Sequence, residues 1–259
     1  MTSWFTTFGY PRTAAPRLLC LHGAGTFASE FQSWPDALDG VADVVAVALP
    51  GRAGRMREPC LTTMADIVTA LSAELKPWLT EPFAMFGHCF GALVTFELAR
   101  SLLRDFQVEP VHLFVSGQPA PTRFQPYVNA DSSDEQILGY IRSLDGAPED
   151  VLASKAFMRS YLPGMRADLA IWAGYRPQRA AEPLHCPITA YMGAEDAWTN
   201  VEQAEGWQAE TTGPFRMTVF PGGHLYMRTA LPMLAADLAT RLRSPGQEPK
   251  SVTSRLPSP

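Results

Sequence analysis

From residue 16 to about residue 116 the chain alternates short apolar runs, each closed by Gly or Pro, with longer stretches whose apolar residues recur at three- and four-residue steps. Such runs read as strands buried on both faces, and the stretches between them as helices that carry the chain from one parallel strand to the next. Strands fall at 17–21, 44–48, 83–86 and 112–116. Helices fall at 64–76, with Ile67, Leu71 and Leu75 on one stripe, and at 92–103, with Phe96, Ala99 and Leu103 on another. The rhythm breaks at Pro121. Two helical stretches, 134–144 and 153–175, then occupy the chain to about residue 183, the second interrupted by Pro163-Gly164. Strand patterns return at 188–192 and 215–220, with helices near 201–207 and at 229–243. The expectation is an α/β fold: a mostly parallel central sheet with helices on both faces, built from 1–120 and 184–243, with 121–183 inserted as a helical lid. The Pro- and Ser-rich end, 244–259, reads as a disordered tail.

One junction in this pattern carries chemistry. Gly87-His88-Cys89-Phe90-Gly91 follows the apolar run 83–86 and opens a helix. That is the strand, tight turn, helix setting of a G-x-S-x-G nucleophile elbow, with cysteine in the central place. The glycines are required because the elbow strains the nucleophile's backbone and brings its neighbours against the adjoining strand and helix. Partners follow in the order nucleophile, acid, histidine. Asp196 comes just after the strand 188–192, at the sheet end where α/β folds bind ligands, and Glu195 beside it is the second choice. His224, in Pro221-Gly222-Gly223-His224, follows the strand ending at Phe220 and can reach across to the elbow. A developing oxyanion would meet the Phe90 N–H at the helix start and a second N–H, from Gly23 or Ala24, in the loop His22-Gly23-Ala24-Gly25. His22 reads as structural and His88 as turned away from the substrate; His112 and His185 lie in or beside strands and have no catalytic part.

Composition narrows the function. The 259 residues are 46% hydrophobic, enough for one large domain with a sizeable core. With 21 basic and 26 acidic residues the net charge is −5, so no global positive field exists to hold nucleic acid or an anionic membrane. The four cysteines, at 20, 60, 89 and 186, lack CxxC spacing, which points to a reducing compartment and against a zinc site. Neither a leader-like N-terminus nor a run of ~18 apolar residues occurs. A soluble, cytoplasmic monomer is expected.

Taken together, these residues resemble the type II thioesterases, stand-alone α/β-hydrolase proteins that accompany polyketide and nonribosomal peptide synthetases. The resemblance runs from about Pro16 to Leu242. Besides the elbow it rests on Phe31-Gln32-Ser33-Trp34, Pro50-Gly51-Arg52, the segment 146–152, Leu162-Pro163-Gly164-Met165-Arg166-Ala167-Asp168, Cys186-Pro187-Ile188 and Phe220-Pro221-Gly222-Gly223-His224. It implies the α/β-hydrolase fold and hydrolysis of acyl thioesters carried on the phosphopantetheine of acyl or peptidyl carrier domains, with no cofactor or metal of the enzyme's own. Cys89 would be nucleophile, His224 general base then acid, and Asp196 its orienter. Two departures stand out: the family normally has serine in the elbow, usually GHSMG, and a loop similar to HAGGS where this chain has His22-Gly23-Ala24-Gly25-Thr26. Some relatives with an elbow cysteine move acyl or aminoacyl groups between carriers, so a shuttle transferase is the alternative. Met158, Met165, Leu169 and Trp172, on one helical stripe of the lid, are expected to line an apolar acyl channel. Arg52, Arg55 and Arg57 form a basic cluster that reads as a solvated face, with the phosphate of the arm or an acidic carrier surface as the alternative contact.

Overall fold

Seven strands form one sheet in the order β1-β3-β2-β4-β5-β6-β7. They are β1 (Phe5–Thr7), β2 (Arg17–Leu21), β3 (Asp43–Val47), β4 (Phe83–His88), β5 (Leu113–Ser116), β6 (Ile188–Gly193) and β7 (Phe215–Phe220). The computed structural model describes residues 4–8, 16–126, 128–144, 146–177 and 182–243; the expected tail, 244–259, lies outside them. All pairings are parallel except β1 against β3, which is antiparallel. Eight α-helices accompany the strands among the described residues: α1 (Trp34–Ala37), α2 (Met64–Leu75), α3 (Phe90–Phe106), α4 (Asp134–Ser143), α5 (Glu149–Leu152), α6 (Lys155–Gly174), α7 (Val201–Glu205) and α8 (Leu231–Leu242).

Strand alternation divides the apolar residues between two cores. Leu19, Leu21, Val45, Val47 and Met85 face α2, α3 and the helices of the insertion. Leu18, Cys20, Val44, Ala46 and Phe86 face the opposite way, against Trp34 of α1 and Leu234 and Leu238 of α8. The sheet is therefore covered on both sides, as the near-continuous apolar strands require. Because β2, β4, β6 and β7 run in one direction, the loops after them emerge at one edge of the sheet.

Three local outcomes differ from the sequence reading. β1 is only three residues long, too short to show a period, and it pairs at the sheet edge with Phe5 packed on Trp78 at 4.4 Å. β4 continues through Gly87 and His88, which stay in register with Val115 and Ser116 of β5. Pro163 sits inside α6 without interrupting it. The lost backbone bond and ring clash cost roughly 3 kcal/mol, whereas burying Met158, Met165, Leu169, Ile171 and Trp172 on that helix contributes roughly 1.5–3 kcal/mol for each large side chain. Burial wins.

Helices α4, α5 and α6 all lie between β5 and β6. A buried ion pair ties α6 to the loops after β3 and β2: Asp168, fully buried, accepts two hydrogen bonds from the Arg52 guanidinium, Nη2 to Oδ1 at 2.7 Å, and a third from the Gly25 N–H at 2.9 Å. Arg55 is buried as well, paired with Glu58 and set over the Trp4 ring, while Arg57 is exposed. The expected solvated face thus holds for Arg57 alone; the other two guanidiniums are drawn inward by carboxylate partners at short range.

Removing one partner of a buried pair leaves an uncompensated charge, at a cost of roughly 3–5 kcal/mol. Asp168→Ala should therefore lower the melting temperature by on the order of 10 °C in a chain of this size, and the double variant Arg52→Met/Asp168→Leu should recover most of the loss. Thermal unfolding checks both; a single variant that melts with the wild type would show that the pair does not anchor the insertion.

Candidate active site

Cys89 stands between β4 and α3 with φ 53° and ψ −123°, a region that residues with a Cβ avoid. Its surroundings impose that conformation. The Cys89 N–H donates to the Ser116 carbonyl at 2.7 Å. A Cβ on Gly91 would come within 2.2 Å of the Leu21 carbonyl oxygen, and one on Gly87 within 2.3 Å of the Gly91 carbonyl oxygen. Only glycine lets α3 start this close to β2 and β4. The result sets the thiol at the sheet edge and the first N–H groups of α3, Phe90 among them, beside it.

His224 and Asp196 meet it from the loops after β7 and β6. Backbone bonds from Ala194 to Phe220 and from Glu195 to Gly222 continue the β6–β7 pairing into those loops. The close approach needs Gly193, whose Cβ would lie 2.1 Å from the Gly223 carbonyl. His224 Nδ1 and Asp196 Oδ2 are 2.9 Å apart, with both side chains buried. Asp196 Oδ1 accepts the Trp198 and Thr199 N–H groups at 2.8 and 3.2 Å, which fixes the carboxylate. Glu195, the alternative acid, has an exposed side chain. Burial alone would lower the proton affinity of His224; the hydrogen bond to Asp196 and the adjacent Cys89 outweigh it and raise the pKa to about 10. Nε2, the ring nitrogen that Asp196 leaves free, has no hydrogen-bond partner among the described residues.

The oxyanion loop packs against the elbow, and a Cβ on Gly23 would sit 3.5 Å from the Cys89 Cβ. Gly23 and Ala24 both line the cleft over the thiol. The Gly25 N–H is already committed to Asp168. His22 bonds its Nδ1 to the Gly23 carbonyl at 2.9 Å, and burial, with Arg52 nearby, lowers its pKa to about 4. It stays neutral and holds the loop.

The cleft is small, about 40 Å³, and Tyr140, Ile141, Leu144, Tyr161 and Met165 of the insertion close over it. Of the four lid residues expected along a channel, Met165 lies there. Met158, Leu169 and Trp172 pack instead into the core between insertion and sheet. The geometric reason is length: Met158 and Trp172 are 14 residues apart on one helix, roughly 21 Å, and the cleft spans only the middle of that stripe. Trp172 reaches the site at one remove, with its ring 6.3 Å from that of Tyr140.

Four residues have a part in the site that the sequence reading does not give them. Asp168 and Arg52 belong to segments that resemble the family, but nothing in their spacing says that they pair. Tyr140 is one aromatic among several. His88 is turned toward the site rather than away: its ring lies 4.9 Å from that of His224, and its Nδ1 bonds the Ser116 hydroxyl, which in turn bonds Tyr226. Burial drives its pKa far down, so it packs against His224 uncharged. Room for both rings comes from Gly117, where a Cβ would lie 2.8 Å from His88. His112 bonds Thr189 and stacks on Phe114, and His185 pairs with Glu109, both away from the cleft.

Among known families, the thioesterase domain matches residues 16–242. The gramicidin S biosynthesis protein GrsT of Aneurinibacillus migulanus is 37% identical over 230 residues, covering 88% of this chain and 89% of that protein. Thioesterase PikA5 of Streptomyces venezuelae is 32% identical over 240 residues, covering 92% and 85%. Among solved structures, the type II thioesterase BorB from the borrelidin biosynthetic cluster superposes with a TM-score of 0.84 at 33% identity over 93% of this chain and 98% of that one. The RedJ thioesterase of the prodiginine pathway in Streptomyces coelicolor gives 0.82 at 37%, over 88% and 91%. An α/β-hydrolase sheet, an elbow cysteine beside a buried histidine–aspartate pair, and a family match over nearly the whole described chain agree: the protein belongs to the thioesterase family and is a thioester hydrolase.

Proposed function

We propose that the chain is a stand-alone type II thioesterase that frees acyl groups from the phosphopantetheine arm of acyl or peptidyl carrier domains in polyketide or nonribosomal peptide synthesis, through an acyl-Cys89 intermediate. The observation that carries the reading is the buried His224–Asp196 pair beside a strained elbow cysteine under a helical cover. Relatives that serve gramicidin S and prodiginine synthesis support the substrate class. The enzyme acts as a cytoplasmic monomer, and the described residues hold no helix long and apolar enough to cross a membrane.

Each proton in the reaction has a donor or acceptor among these side chains. Sγ of Cys89 passes its proton to His224 Nε2 and attacks the thioester carbonyl carbon, and the N–H groups of Phe90 and of Gly23 or Ala24 receive the oxyanion. As the carbon–sulfur bond to the arm breaks, the departing thiolate takes the proton held by His224. The sulfur of Cys89 is now bonded to the acyl group and uncharged, so one of the influences that raised the imidazole's proton affinity is gone. His224 then accepts a proton from water, whose oxygen attacks the acyl carbon and releases the acid.

The cysteine favours one second reading. An acyl-cysteine conserves the thioester bond, so onward transfer to another carrier thiol is nearly thermoneutral, whereas a serine ester would make it uphill. Cys89→Ser separates the two. A hydrolase should keep or gain hydrolysis, because the histidine, the acid and the oxyanion donors are those a serine enzyme uses. Loss of the native activity in that variant, while the wild type moves acyl groups between two carriers faster than it releases acid, would establish the transferase. Cys89→Ala should abolish acyl-enzyme formation and leave the fold intact; retained turnover would remove Cys89 from the mechanism.

His224 also links stability to pH. Its folded-state pKa, about 10, lies above the unfolded value of roughly 6.5. The linked stabilisation is therefore complete below pH ~6.5 and is lost as the pH rises through about 10. Melting temperatures across that window should fall more steeply for the wild type than for His224→Gln, and parallel curves would contradict the raised affinity.

A further inference from the structure

The cover of the active site brings one polar side chain to the reacting sulfur, and the triad has no use for it. Tyr140 of α4 is 6% exposed and lines the same cleft as Cys89 and His224. Its ring is gripped edge-on by Trp198 at 5.2 Å and lies 6.3 Å from Trp172. Trp198 is itself tied to the acid, since its backbone N–H donates to Asp196 Oδ1. Orienting contacts thus come from both the insertion and the triad loop, and they hold the phenol in the small cleft that Cys89 and His224 also line.

We propose that Tyr140 is a further catalytic residue of this enzyme, whose O–H donates to Sγ of Cys89 and stabilises the negative charge that gathers on sulfur when the acyl-enzyme is hydrolysed. In that step water's oxygen bonds to the acyl carbon, one water proton passes to His224, and the carbon–Sγ bond breaks with its electron pair going to sulfur. Tyr140 keeps its proton throughout. Burial and the neighbouring Cys89 push the phenol's pKa well above its ordinary value, so it stays a donor at any pH at which the enzyme works. Sulfur leaves more readily than a serine oxygen and needs less proton transfer, so a single fixed donor suffices for it. Tyr161 also borders the cleft, but its hydroxyl is directed to Met165 Sδ at 3.8 Å.

The inference rests on the acyl-Cys89 reading, and its test separates the two. Tyr140→Phe keeps the ring between its tryptophans and removes only the donor. The rate of Cys89 alkylation by iodoacetamide, followed against pH by intact mass, should have its midpoint shifted upward in the variant. The other titratable groups near the thiol, His224, His88, Tyr161 and Asp196, are the same in both proteins. In single-turnover reactions with an acyl-pantetheine thioester, release of the acid should slow about tenfold, as loss of one hydrogen bond to a charged group implies, with acyl-Cys89 accumulating and its formation much less affected. An unmoved alkylation profile together with wild-type deacylation would overturn the proposal and leave Tyr140 as packing. Should Tyr140→Phe not fold, 2,3-difluorotyrosine at position 140, a stronger donor, should lower the alkylation midpoint, and no shift there would also overturn it. A wild type that hydrolyses thioester without any Cys89 adduct would instead bring down the acyl-enzyme reading, while the alkylation profile still reports on the contact.

Discussion

The left-handed backbone at Cys89 is the constraint from which the site is built. A residue with a Cβ held at φ 53° costs on the order of 1–3 kcal/mol, and the chain meets that cost with the rigid frame of β4, β5 and α3. The Ser116 carbonyl holds the Cys89 N–H, and two glycines, each with no space for a methyl group, let helix and strands close around the turn. Strain here has a chemical return. The thiol projects from the sheet edge beside the N–H groups at the start of α3, where the proposed mechanism places the developing negative charge.

Everything else in the site refers to that fixed point. The parallel sheet delivers the loops after β2, β6 and β7 to the same edge, and β6–β7 backbone bonds extend far enough to set Asp196 against His224. The Arg52–Asp168 pair works from the other side. One carboxylate of the insertion ties the loop after β3 to the Gly25 N–H, so the cover and the oxyanion loop cannot shift independently. A buried pair is weak evidence of net stability; its value here is registry, because it decides which part of α6 lies over the thiol.

Much of this was legible in the sequence, for reasons that can be named. The strand runs, the elbow glycines and the order Cys89, Asp196, His224 are local signals, written in patterns of two to five residues. The sheet order, the reach of β4 into the elbow and the close packing of His88 on His224 depend on contacts between distant segments, which no local period records. Asp168 illustrates the limit. An acidic residue on an apolar helical stripe is conspicuous, yet its partner lies 116 residues away. The lid stripe shows the converse. Its period correctly marks a buried face, but burial under a cover and burial along a cleft leave the same pattern, and only Met165 of the four lid residues reaches the cavity. Pro163 was read as a break because propensity is local, whereas the buried face that overrides it is not.

The chemistry turns on whether sulfur carries the acyl group and His224 then lets water in. The most direct measurement is a rapid-quench time course of the wild type with an acyl-carrier substrate, read by intact mass. A Cys89 adduct that appears and then decays to free acid at the turnover rate is the predicted result. Hydrolysis with no adduct at any time, or an adduct that persists until a second carrier removes it, would contradict the account.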